Sequence, residues 1–207
     1  MDALHIIATL AAAVLQTVGI RSGTEQPRYT VVERVGAVEV RRYEGRIAAQ
    51  AVVSGDEERA RNAGFRLVAG YIFGGNASST QIAMTAPVAQ AAKGEQIAMT
   101  APVAQQPADG GWRVQFFMPA QYGLDSLPKP KDARVTLVQL PAQTYAVMAF
   151  SGSRSPTAVQ LKQGALASVV GASAWKASGE PQGWFYDPPW TLPFLRLNEV
   201  AVQVERR

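Results

Sequence analysis

From residue 28 onward the chain alternates apolar and polar positions in short runs. Tyr29-Thr-Val-Val-Glu33 and Ala37-Val-Glu-Val-Arg-Arg-Tyr43 repeat with period two, the pattern of strands with one buried face, and Gly36 between them marks a turn. Ile47 to Val53 predicts a third strand, ended by Ser54-Gly55. The period then lengthens. Ala60, Gly64, Leu67, Val68 and Tyr71 recur at helical spacing, so 56–72 is predicted to be a helix. Ser54 or Asp56 can cap it, Glu57 and Glu58 suit its positive end, and Gly74-Gly75-Asn76 stops it.

A similar unit starts about 97 residues later. Strands are predicted over 134–140 and 143–150, Ser151-Gly152 stands where Ser54-Gly55 stood, and a second helix runs from about Pro156 to Val170, ended by Gly171. The pattern predicts two pseudo-symmetric β-rich halves, each with one helix.

Between the halves lies a perfect duplication. Gln81-Ile-Ala-Met-Thr-Ala-Pro-Val-Ala-Gln90 recurs residue for residue at 96–105, with Ala91 to Glu95 as spacer. Ile82, Met84, Ala86 and Val88 share one parity, as do Ile97, Met99, Ala101 and Val103, so the copies can pair as antiparallel strands through a turn at Lys93-Gly94. Pro87 and Pro102 have no amide proton to donate and belong at strand ends or edges.

Residues 3–20 are uncharged and largely apolar, and as a helix would reach roughly 27 Å, just short of a hydrocarbon core. Three readings stay open: a cleaved secretory signal, although the start carries Asp2 and no Lys or Arg; an uncleaved anchor; or an amphipathic helix packed on the domain or a partner. We expect a segment 1–26 that faces a membrane, in an anchored or periplasmic protein with room for a protein partner there, and a domain over 27–207.

Composition narrows the chemistry. Apolar residues make up 47% and charged residues 17%, enough for a packed core. With no cysteine, disulfides, thiolate metal sites and covalent heme attachment are excluded. His5 is the one histidine, which removes a Ser-His-Asp triad or a multi-histidine metal site from the domain. The net charge of +4 suits carboxylate-bearing ligands or anionic lipid; no clustered basic run argues for nucleic acid.

Tyr29 to Gly45, the helix ending in Gly74-Gly75-Asn76, the two IAMTAPV segments, Phe117-Met118-Pro119, and Tyr186-Asp187-Pro188-Pro189-Trp190 with Arg196, Asn198, Glu199 and Val200 together resemble the SOUL/heme-binding protein family over about 27–205. The resemblance implies an α+β fold: a distorted antiparallel β-barrel of two similar halves with two helices, here preceded by an N-terminal apolar helix. It also implies non-covalent binding of heme or another tetrapyrrole in an apolar groove along the first helix, as carrier, buffer or accessory. Some relatives are linked to a histidine axial ligand; residues 27–207 contain no histidine.

A flat macrocycle needs an apolar slot and cations for its carboxylates. Leu67, Val68 and Tyr71 are expected to supply the slot and Arg59 and Arg66 the cations, though the same stripe serves equally as core. Met84 and Met99 carry thioethers that can reach an iron or simply fill core. Tyr186 and Trp190 sit in a stiff proline-rich loop and are expected at the groove's rim, or at a structural corner capped by Asp187. No catalytic residue and no metal site are assigned. The alternative is a hydrolase or xenobiotic binder of the GyrI-like kind, using a buried Glu199 as general base.

Overall fold

The structure is a computed structural model that describes residues 24–77 and 94–207. The apolar stretch 3–20 and the first copy of the duplication, Met84 included, lie outside the described residues. The chain forms two compact units, each with one helix on antiparallel strands.

The first unit is built from residues 28–43 and 143–207. β1 (Tyr29–Val35) and β2 (Val38–Tyr43) form a hairpin through Gly36, whose φ of 58° suits glycine. The order continues through β9 (Gln143–Phe150) and β12 (Asn198–Arg206) to β11 (Gln182–Phe185), and β10 (Trp175–Ala177) also pairs with β12. Helix α2 (Pro156–Gly171) is capped by Ser155, whose side chain accepts from the Ala158 amide. Its Val159, Leu166 and Val170 pack on Val38, Val40, Ala146, Met148, Val200 and Val202, which the β2–β9–β12 register places on one side of the sheet.

The second unit holds residues 25–27 and 44–142. β5 (Val103–Ala108), β6 (Gly111–Phe117), β3 (Arg46–Val53) and β8 (Thr136–Leu140) pair in that order, and β4 (Asn76–Ala77) pairs with β7 (Lys129–Pro130). Helix α1 (Glu57–Ile72) begins at Asp56, which accepts the Arg59 amide at 2.9 Å. It lies close on β6 because Gly64 has no side chain: a methyl group there would fall 2.6 Å from Val114 Cγ2. Val68, Tyr71 and Ile72 join Ala49, Val114 and Phe116 in this unit's core.

The sequence reading anticipated β1, β2, β3, β8, β9 and both helices closely and did not name β4, β6, β7, β10 or β11; three expectations change. The sheet is not closed into a barrel: among the described residues β1 pairs only with β2 and β8 only with β3. On β1 a bulge between Val31 and Glu33 and the adjacent charges of Glu33 and Arg34 disfavour further pairing at the open edge. The units are not consecutive halves of the chain, because the β1–β2 hairpin pairs through β2 with β9 rather than with strands near it in sequence. The second copy of the duplication is not one strand: Ile97 and Ala101 are buried, Met99 is 38% exposed, and regular pairing starts only at Val103, after Pro102. Its backbone and side chains are drawn to irregular partners, the Ala101 amide to the Glu25 carbonyl and the Thr100 hydroxyl to the Phe117 carbonyl.

Candidate functional site

Two places gather chemistry, one in each unit. In the second unit it is the outer face of α1. Helical spacing divides this helix into a core side, with Ala60, Gly64, Val68, Tyr71 and Ile72, and an exposed stripe with Arg59, Asn62, Arg66, Gly70 and Phe73. Val68 and Tyr71, expected to face a ligand, are core residues, 0% and 2% exposed, and the Tyr71 hydroxyl donates to the Pro128 carbonyl at 2.9 Å. Leu67 is half-buried against the same core. The apolar positions of an amphipathic helix go to the larger adjoining apolar surface, here the sheet.

The stripe has a shape of its own. Gly70 has no neighbour within 4 Å of where a side chain would start, so the helix backbone is bare there. Arg66 precedes it by one turn on one side, and Phe73, 61% exposed, follows on the other. Arg59 carries a surface ion pair with Asp56 at 3.2 Å. Phe65 adds a partly exposed ring that also leans on Phe116, at 5.2 Å between centroids. Sequence reading chose the arginines and missed Gly70, Phe65 and Phe73. A glycine inside a helical run, against its propensity, was the available signal.

In the first unit the site is the side of the sheet opposite α2. Cross-strand partners share a side, so Glu39, Arg41, Tyr43, Tyr145, Glu199, Gln203, Trp184 and Gln182 all lie there. The Tyr43, Tyr145 and Trp184 rings meet edge-on at 5.3 to 6.0 Å between centroids. Trp184 Nε1 donates to Gln182 Oε1 at 2.9 Å, and the Tyr145 hydroxyl to Gln143 Oε1 at 3.1 Å.

Beside the rings sits a buried ion pair. Arg41 Nη1 lies 2.9 Å from Glu199 Oε1, with both side chains under a tenth exposed. Arg41 Nε donates to Glu39 Oε2 at 2.8 Å, and its guanidinium stacks 4.5 Å from the Tyr29 ring centre. The Tyr186 hydroxyl donates to Glu199 Oε2 at 2.5 Å. Both Glu199 oxygens are therefore engaged, one by a cation and one by a phenol. Glu199 is buried, as its reading as an interior carboxylate supposed; Tyr186, expected at a groove rim or a structural corner, instead bonds Glu199, and Arg41 was not singled out, although it shares strand parity with Glu39 and Tyr43. Trp190, in contrast, is 59% exposed. Among the described residues no group of three or more His, Asp or Glu could hold a metal ion.

Burial shifts the phenols. Burial first, then the Glu199 carboxylate and Tyr43, push the Tyr186 phenol well above the usual tyrosine range, with Arg41 pulling the other way. Tyr71 is pushed up to about 12, by burial and then by Glu95 and Tyr122. A raised phenol favours the neutral, folded form. Its stabilisation is complete below the ordinary tyrosine pKa of about 10 and is lost as the pH climbs from there toward the folded value. Of the six tyrosines, Tyr71, Tyr122 and Tyr186 should ionise above the ordinary tyrosine range, the buried Tyr71 and Tyr186 in step with alkaline unfolding, in a near-ultraviolet tyrosinate titration. Tyr186→Phe should remove one late group; six phenols titrating together before unfolding would contradict the arrangement.

Comparison with known proteins places the fold. The C-terminal domain of EcmrR superposes with a TM-score of 0.59 at 10% identity, covering 86% of this chain and 99% of that one. An EcmrR–DNA complex gives 0.58 at 10% identity, with 99% of this chain and 68% of that one covered. A hydrolase from Listeria innocua gives 0.50 at 10% identity, with 89% and 94% covered. At such identity these likenesses speak for the fold alone. No curated protein matches by sequence. A family model does: the one described as SOUL heme-binding protein matches residues 24–203.

Proposed function

The chain belongs to the SOUL heme-binding protein family, and from that membership we propose that it holds heme or a related tetrapyrrole non-covalently on the outer face of α1, as a carrier or buffer without catalysis. The observation that carries the reading is the stripe Arg66–Gly70–Phe73: a bare stretch of backbone between a cation and an exposed ring. A planar macrocycle can lie over Gly70, stack on Phe73 and turn its carboxylates toward Arg66 and, where Asp56 releases it, Arg59. Burial of a few hundred Å² of macrocycle at about 25 cal/mol per Å² supports binding without an iron bond, after ordering costs. Leu67 borders this face, and Val68 and Tyr71 support it from the core.

Heme would bring a redox-active iron. The domain offers it no imidazole, and Met99 is a partly exposed thioether. A hydrolytic use of Glu199 is the weaker reading, because Arg41 and Tyr186 occupy both of its oxygens.

Titration of the purified protein with hemin tests the reading, with a saturable shift of the Soret band expected and its absence counting against it. The spectrum should be weakly ligated and unchanged in His5→Ala. Arg66→Ala should weaken binding by roughly up to 1 kcal/mol, as for an exposed charge pair. Gly70→Gln is the sharper variant. It adds helix propensity worth about 0.5 kcal/mol in open space, so the melting temperature should hold or rise while hemin affinity falls. Equal affinity in Gly70→Gln moves the site elsewhere.

For residues 3–20 we keep the membrane-facing proposal, as anchor or signal. No helix among the described residues is long and apolar enough to cross a membrane. Full-length protein in the soluble fraction after cell fractionation would refute it.

A further inference from the structure

The loop between β11 and β12 exposes apolar surface that the first unit does not use. Five of the six residues from Pro189 to Phe194 are exposed, and all five are apolar: Pro189, Trp190, Leu192, Pro193 and Phe194. Trp190 is 59% and Phe194 70% exposed. Thr191, the sixth, is fully buried and anchors the middle.

The loop is also rigid. Arg196 donates to the Thr191 carbonyl at 2.8 Å and the Pro189 carbonyl at 2.7 Å. Asp187 Oδ2 accepts the Leu197 amide at 2.6 Å, and Arg154 donates to the Asp187 carbonyl at 3.2 Å. The neighbouring turn joins in through the Gly152 amide, 2.8 Å from the Pro193 carbonyl. Three large side chains are thus held out in water with little conformational freedom left to lose on contact.

Charge decides what covers them. Residues 28–43 and 143–207 carry ten Arg and Lys against six Asp and Glu, whereas 25–27 and 44–142 carry nine of each. The positive excess of the domain therefore belongs to the unit that bears this loop. Segments 151–156 and 188–198 contain no carboxylate, and the flanking Asp187 and Glu199 are buried. Apolar side chains on a stiff, carboxylate-free loop in a cationic unit match an anionic lipid surface, where tryptophan prefers the headgroup level.

We propose that the Pro188–Leu195 loop is a membrane-contact loop that seats Trp190, Leu192 and Phe194 in the interface of an anionic bilayer. This goes beyond the tetrapyrrole reading on α1 and does not depend on residues 3–20, because its test varies the loop while leaving that segment intact.

The test is flotation of the full chain with phosphatidylglycerol vesicles and with phosphatidylcholine vesicles. Binding should favour the anionic vesicles and weaken with added salt. Trp190→Ser/Phe194→Ser should lower the anionic partition by roughly ten-fold or more, while the melting temperature stays near wild type. A second readout does not depend on that variant. Lipids brominated near the headgroup should quench the wild-type tryptophan fluorescence, and Trp190→Phe should abolish most of the quenching. No binding to anionic vesicles, an unchanged partition in the double variant, or quenching that survives Trp190→Phe overturns the proposal. So does a double variant that loses self-association in the ultracentrifuge but keeps its lipid binding.

Discussion

Arg41→Met should cost about 3–5 kcal/mol of stability, the range for removing one partner of a buried ion pair. The loss comes from what is left behind. Glu199 is only 3% exposed, and without the guanidinium at 2.9 Å its Oε1 has no cation, while Tyr186 alone serves Oε2. The cation–ring stack on Tyr29 and the link to Glu39 go as well. Urea unfolding at neutral pH measures the loss, and the double substitution Arg41→Met/Glu199→Met should recover much of it, since two apolar groups can replace a buried pair at little net cost. Arg41→Lys should fall between, because one ammonium cannot serve the Glu199 and Glu39 carboxylates from one planar fork. A loss under about 1 kcal/mol in Arg41→Met would mean that the pair is solvated.

The pair adds little pH dependence of its own on the arginine side. Burial opposes the Arg41 charge, but Glu199, then Tyr43 and Glu39, more than offset it, so its pKa lies above the ordinary arginine value. A raised cation stabilises fully below its unfolded pKa, which for arginine covers the whole working range.

The second large effect is expected for Trp184→Ala, at about 3–5 kcal/mol, the range for emptying a large aromatic site in a core. Trp184 is 1% exposed, touches the Tyr43 and Tyr145 rings, and gives its indole proton to Gln182. Its removal leaves a cavity and strands Gln182, itself 9% exposed. Trp184→Phe should recover most of the packing but not the hydrogen bond. Thermal unfolding followed by circular dichroism separates the two; a Phe variant as damaged as the Ala variant would show that the indole proton, not the ring volume, dominates.

Parts of the site were legible in the residues and parts were not. Arg59 and Arg66 could be placed on an exposed helix face because charge and helical period agree. Leu67, Val68 and Tyr71 could not be assigned between ligand and core from their period alone: an apolar stripe looks the same whichever apolar surface covers it, and here the sheet covers Val68 and Tyr71. Glu199 could be read as an interior strand residue. Its partner could not, because Arg41 and Glu199 are 158 positions apart and meet only through two ladders on β9.

The sequence by itself determined much of the local structure: the first strands from period two, the first helix from period 3.6 with Asp56 among its two candidate caps, the extent of the second helix, and the turn at Gly36. These depend on neighbours a few residues away, which a linear text contains. The family, too, was readable, in motifs whose order survives without a structure. Tertiary structure alone decided that the β1–β2 hairpin joins the C-terminal strands, that the sheet stays open, and that the second copy of the duplication is mostly irregular. It also decided that Arg41 occupies Glu199, and that Gly70 and the Trp190 loop are left bare. Such outcomes turn on which distant surfaces compete for the same hydrogen bonds and apolar contacts, a competition between remote segments that no local period records.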